Sequence, residues 1–121
     1  MTTLSLTVDH ESTAHAIRVC TGGPVIDRTR ARAAVETVED LVAGHTGRLR
    51  TLIIDVEDLQ IPNSMAVSML LELARIAQSH RLEAVLHRPN EALLQLLRML
   101  RLDGRFAFSL SNRELSRAMA A

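Results

Sequence analysis

Ser64 is the residue of this chain best placed to carry regulatory chemistry. It follows an apolar run, Thr51-Leu52-Ile53-Ile54-Asp55-Val56, and a short segment, Glu57-Asp58-Leu59-Gln60-Ile61-Pro62-Asn63. Proline fixes φ and tends to precede or open a helix, and asparagine is a favoured cap. Ala66, Val67, Leu70, Leu73, Ala74 and Ala77 then recur at helical spacing. A helix is therefore predicted to start at Asn63 or Ser64, with the hydroxyl in its first turn. Unpaired N–H groups and a partial positive charge make that end a good site for a phosphate or for a partner's acidic group. A phosphoryl group on Ser64 would add about −1.5 to −2 charge. The helix end would favour that charge by roughly 0.3–1 kcal/mol, whereas an acidic or apolar groove on a partner would reject it. The plainer alternative is an unmodified first-turn serine. Asn63 as a cap contributes about 1 kcal/mol relative to Ala.

Met65, Met69 and Ile76 fall along one side of the same helix, beside Ser68, Glu72 and Arg75. Two readings are open: an adaptable apolar contact strip, since Met repacks easily, or peripheral core beneath a neighbouring loop. Met65 is expected to shade Ser64. The candidate docking residues are Asp58, Gln60, Pro62, Asn63, Ser64, Met65, Ser68, Met69 and Glu72. Two arginine clusters, Arg28-Arg30-Arg32 and Arg98-Arg101-Arg105, suit either an anionic partner or a solvated face. Three arginines at a helix start run against the dipole, and the sequence offers no reason for them.

Nothing else reads as catalytic. The five histidines are scattered, and the single Cys20 does not complete a metal set. There is no P-loop, dinucleotide fingerprint or nucleophile elbow. Acid pairs such as Glu57-Asp58 are sequence neighbours and diverge. We therefore expect no enzyme activity, no metal and no cofactor. The 14 basic residues, all arginine, balance 14 acidic ones, which argues against nucleic acid or an anionic membrane as partner. The N-terminus lacks a signal-peptide pattern, and no apolar stretch is long enough to insert in a membrane. A cytoplasmic protein is expected.

With 121 residues, 47% of them hydrophobic, the chain is the size of one domain with its own core. Only Phe106 and Phe108 are aromatic, so that core must be aliphatic. Leu4, Leu6 and Val8 alternate with polar residues, and His15–Cys20 is a second strand pattern; with Glu11-Ser12-Thr13 as a turn they suggest an antiparallel hairpin. A helix from about Thr29, capped by Thr29 or Asp27, ends at Gly44 or Gly47. Leu49–Val56 reads as a strand covered on both faces. After the helix at Ser64 come a strand at Leu82–Leu86 and a helix with Leu93, Leu96, Leu97 and Leu100 inward, ending near Gly104. Phe106–Leu110 is a last strand, and Ser111 with Glu114 forms a capping box for a short final helix. The order β-β-α-β-α-β-α-β-α predicts an α/β domain spanning 1–121, with a mixed sheet of about five strands, parallel after its hairpin, and about four helices mainly on one side.

This succession resembles the STAS domain. The family pattern is Asp-hydrophobe-x-x-hydrophobe-x-hydrophobe-x-Asp-Ser-(Ser/Thr)-Gly between a strand and a helix. Asp55, Val56, Leu59, Ile61, Asn63 and Ser64 fall in its register, and Leu93–Phe106 is similar to the family's third helix and its Leu-rich exit. Asn63 stands in place of the Asp, Met65 in place of Ser/Thr, and Ala66 in place of Gly. The resemblance implies a STAS-like fold and a bacterial anti-sigma factor antagonist. Such a protein binds an anti-sigma factor, a histidine-kinase-like serine kinase, and is switched by phosphorylation at the serine matching Ser64. It also implies an alternative, a constitutive accessory subunit of a transporter such as a lipid-transport ABC system, for which Met65 and Ala66 suit a non-switching role. Low net charge and the apolar strip are compatible with a homodimer.

Overall fold

The computed structural model describes residues 7–120. A five-stranded sheet has the order β1 (His10–Ser12), β2 (Ala16–Cys20), β3 (Thr51–Asp55), β4 (Glu83–His87) and β5 (Ala107–Ser109). β1 is antiparallel to β2, and every later pair is parallel. Because strands 2 to 5 lie side by side in chain order, right-handed crossovers must put all three connecting helices on one face. These are α1 (Arg28–Gly44), α2 (Ser64–Ser79) and α3 (Glu91–Met99). A fourth helix, α4 (Asn112–Ala120), crosses the opposite face.

The alternation of the strands sorts two cores. Ile17, Val19, Leu52, Ile54 and Leu86 face α1–α3 and join Val38, Leu70, Leu73, Leu93 and Leu97 in the main aliphatic core. Ala16, Ile53 and Val85 face the other way, beneath Met119 of α4 with Leu115 and Ala118. β3 is buried at every position, as a central strand covered on both sides requires.

Several boundaries differ from the sequence expectation. Leu4 and Leu6 lie outside the described residues. An antiparallel hairpin is present, but its first strand is His10–Ser12: Val8, expected in that strand, lies outside it, and Glu11 and Ser12, expected as turn, are strand; the turn falls at Thr13–His15. Thr13 closes it: its N–H donates to the Ala16 carbonyl (2.8 Å). Its hydroxyl accepts from the Ala16 N–H and donates to the Met119 carbonyl (2.8 Å), tying the end of α4 to the turn. α3 ends five residues before Gly104, and Leu100, expected to point inward, is 49% exposed. Arg101 takes the left-handed position (φ 56°), and the Leu102 N–H reaches back to the Leu97 carbonyl (2.8 Å), a glycine-type helix stop made without glycine. A turn of 3₁₀ helix (Asp103–Arg105) then leads into β5.

Replacing Thr13 by Val removes both hydroxyl bonds and should cost about 1–2 kcal/mol. Urea denaturation should show the loss, and amide exchange in α4 should accelerate more than exchange in α2.

Candidate docking site

The parallel strands β2, β3 and β4 all end on the same edge of the fold, and three helices start there. Each start has the same device, a short side-chain acceptor on an extended cap residue. Asp27 accepts from the Arg30 N–H, Asn63 from the Ala66 N–H and Asn90 from the Leu93 N–H, each at 2.8 Å. The two asparagines also use their amide nitrogens. Asn63 Nδ2 donates to the Ile26 carbonyl (3.1 Å), and Asn90 Nδ2 donates to the carbonyls of Gln60 (2.8 Å) and Leu59 (3.3 Å). The N–H groups of Gln60 and Ile61 in turn donate to the Pro24 carbonyl. Gly23 lets that approach happen, since a Cβ there would sit 1.8 Å from the Asp58 carbonyl oxygen. Each loop is thus fastened to its neighbour by backbone and amide hydrogen bonds.

Ser64 is the first residue of α2 and is exposed. Met65 does not shade it: that side chain turns half-buried against the edge of the main core. Asp58, Gln60 and Ser68 are exposed, while Pro62, Asn63 and Glu72 are intermediate. Met69 is a correction, because at 2% exposure it belongs to the core and presents no contact strip. Ile76 is half-buried against the same core. Two apolar side chains stand on the adjoining loops: Ile61 (59% exposed), read in the sequence only as a hydrophobe of the motif, and Val25 (40%), not singled out there. Isolated apolar residues in turns carry no periodic signal.

The sequence reading also missed a polar row on the α4 face. Register aligns Cys20 with Asp55, Asp55 with His87, and His87 with Ser109. Asp55 is 4% exposed and its Oδ2 accepts from Arg18 at 2.6 and 3.1 Å, while its Oδ1 accepts from the Glu57 N–H. Burial works against the Arg18 charge, but the Asp55 hydrogen bond and neighbouring carboxylates outweigh it and hold the pKa above its ordinary value. His87 is 1% exposed and its Nδ1 lies 3.0 Å from Ser109 Oγ. Cys20, which is half-buried beside Asp55, has its thiol pushed up to about 12, first by burial and then by that carboxylate. A thiol held there stays protonated near neutrality, the less reactive form. Asp55, Glu57 and His87 bring candidate ligand atoms within 4.8 Å of one another. Both carboxylates are already engaged by arginine, Asp55 by Arg18 and Glu57 by Arg88 (3.1 Å), so the set reads as a salt-bridged network.

The family model described as "Mlab, STAS domain" matches residues 8–112. The chain belongs to the STAS domain family. Solved structures share its architecture. Moorella thermoacetica RsbS, in a serine-to-glutamate variant, superposes with a TM-score of 0.75 at 22% identity, covering 92% of this chain and 93% of that one. The anti-sigma factor antagonist SpoIIAA in its unphosphorylated form gives 0.73 at 15% identity, over 95% and 98% of the two chains. Phosphorylated SpoIIAA, described as a Bacillus cell fate determinant, gives 0.70 at 15%, over 92% and 98%. A search of curated proteins found no match. At these identities the structural likeness establishes the STAS fold. Among the described residues no helix is long and apolar enough to cross a membrane.

Two substitutions test this geometry. Asn63→Asp restores the family residue and keeps the cap, but turns a carboxylate oxygen toward the Ile26 carbonyl in place of a donor. The lost bond and repulsion outweigh the roughly 0.3–1 kcal/mol gained from the dipole, so a net loss of about 1–2 kcal/mol is expected in chemical denaturation. Arg18→Met strands the Asp55 carboxylate and should cost about 2–3 kcal/mol, below the fully buried range because Arg18 keeps 21% of its side-chain surface. Adding Asp55→Asn to that variant should recover much of the loss.

Proposed function

We propose that this STAS domain docks a protein partner through the fastened loop end and the start of α2, and that Ser64 is the control point. The partner is an anti-sigma factor of the histidine-kinase-like serine kinase class, which makes the chain an anti-sigma factor antagonist acting in transcription regulation in a bacterial cytoplasm. The observation that carries the reading is the Ser64 hydroxyl, exposed at the first position of a helix whose cap is supplied by another residue. Ile61 and Val25 add exposed apolar surface on the adjoining loops, and Asp58 and Gln60 add polar contacts. SpoIIAA, which shares the fold, is known in unphosphorylated and phosphorylated forms.

In this reading phosphate on Ser64 adds charge without displacing any hydrogen bond that holds the loops. Docking is lost because the partner's surface meets a dianion, while the domain itself keeps its fold. A second reading has support in Met65 and Ala66, which replace the family's hydroxyl residue and glycine. Ala66 is fully buried at the foot of the helix. A chain that clamps a transporter ATPase constitutively needs no acceptor serine, and the matching family model is described as Mlab rather than as an antagonist.

Calorimetry of the purified chain with each anti-sigma kinase of its own organism should find one tight partner. Ser64→Ala should leave that affinity unchanged, and Ser64→Glu should weaken it by about tenfold or more. Mass spectrometry of the protein from its host should find phosphate on Ser64. Absence of any kinase partner, with recovery of a transporter ATPase instead, would favour the second reading and sink the first.

A further inference from the structure

The arginines at the start of α1 divide in the structure. Arg30 turns over the loop before the helix, its Nη1 only 2.6 Å from where a Cβ on Gly22 would lie. Arg28 and Arg32 line a groove between α1 and α2. Farther along, Glu36 and Glu39 line the same groove. None of these four forms an ion pair among the described residues.

Both helices follow parallel strands and run side by side in the same direction. One end of the groove is therefore positive, from Arg28 and Arg32. The other is negative, from Glu36 and Glu39; Glu72, across on α2, is paired with Arg75. Its floor is apolar, with Val35 and Met65 half-buried. At 1.5 Å per residue, about 16 Å of helix separates Arg28 from Glu39.

A charge pattern split in this way is self-complementary. A two-fold axis across the groove lays a second copy antiparallel on the first, so that the arginine end of each meets the glutamate end of the other. The opposite sense would stack like charges at both ends. We propose that this groove is an interface between two copies of the chain. Pairing gives Arg28, which the helix dipole disfavours at the first position of α1, and Arg32 their missing carboxylates. It also covers Ser68 and Glu72, so a homodimer and a partner docked along α2 exclude each other.

Sedimentation equilibrium of the full chain tests this. The unmodified protein should dimerise, and more weakly as salt is raised, because the rim pairs are screened. Arg28→Glu with Arg32→Glu, and separately Glu36→Arg with Glu39→Arg, should each weaken association by about tenfold or more. An equimolar mixture of the two variants should restore it. A monomer at all concentrations, association indifferent to salt, or a mixture no tighter than either variant alone would overturn the proposal. The salt series uses the unmodified chain and stands even where a variant fails to fold. Failure here leaves the Ser64 reading intact, since that reading is measured on binding to a kinase.

Discussion

The amide groups of Asn63 and Asn90 hold together the loops at the edge where α1, α2 and α3 begin. Each side chain does two things at once: the oxygen caps a helix, and the nitrogen fastens that cap to the preceding crossover. A carboxylate could do the first but not the second, since it has no proton to give. The clamp runs across three loops, from Ile26 through Asn63 to Gln60 and Asn90, and each link requires the next loop to be in place. This loop end is therefore preorganised, and under the docking role proposed for it the loops would need little ordering on binding.

On the other face of the sheet the same register brings together groups of a different kind. Arg18, Asp55, His87 and Ser109 come from four strands and make a polar row beside the small core under α4. Taking a carboxylate out of water is costly, and here Arg18 offsets that cost only with the strands in this register. A one-residue slip would flip Asp55 into the aliphatic core beneath α2. The row thus selects one pairing of four parallel strands whose apolar sequences would tolerate several. Burial first, and then the Asp55 carboxylate of this row, raise the pKa of Cys20.

Most of the fold was legible in the sequence because burial periodicity reports it directly. The three crossover helices follow their three- and four-residue spacings, and Asn63 and Ser111 act as the caps their types suggest. Boundaries failed where local chemistry departs from habit. α3 stops on Arg101 in a conformation usually left to glycine, so Leu100 was carried inward by a pattern that had already ended. The hairpin turn was misplaced because Thr13 closes it by its own hydroxyl. At the site, Asn63 and Ser64 were readable as a cap and an exposed hydroxyl. The amide's second bond was not, because Ile26 is 37 residues away and contributes only a carbonyl. The polar row was unreadable for the same reason, since its members meet only through strand register. Met69 stayed open between contact strip and core because helical spacing alone does not say how closely α1 approaches α2.

Separating the cap from the acceptor has a consequence for control. When the hydroxyl that caps a helix is also the one modified, adding a phosphate removes an interaction worth about 1 kcal/mol at the helix start. In this domain Asn63 carries the cap and Ser64 carries no side-chain hydrogen bond among the described residues. Added charge at Ser64 then acts on whatever lies outside the domain, and the helix end even stabilises it slightly. Departure from the family motif at Asn63 removes negative charge beside the hydroxyl and adds the bond to Ile26, while the helix start is independent of Ser64 because the neighbouring residue carries the cap. Under the control proposed for Ser64, discrimination would then rest on charge alone and not on whether the loops remain folded.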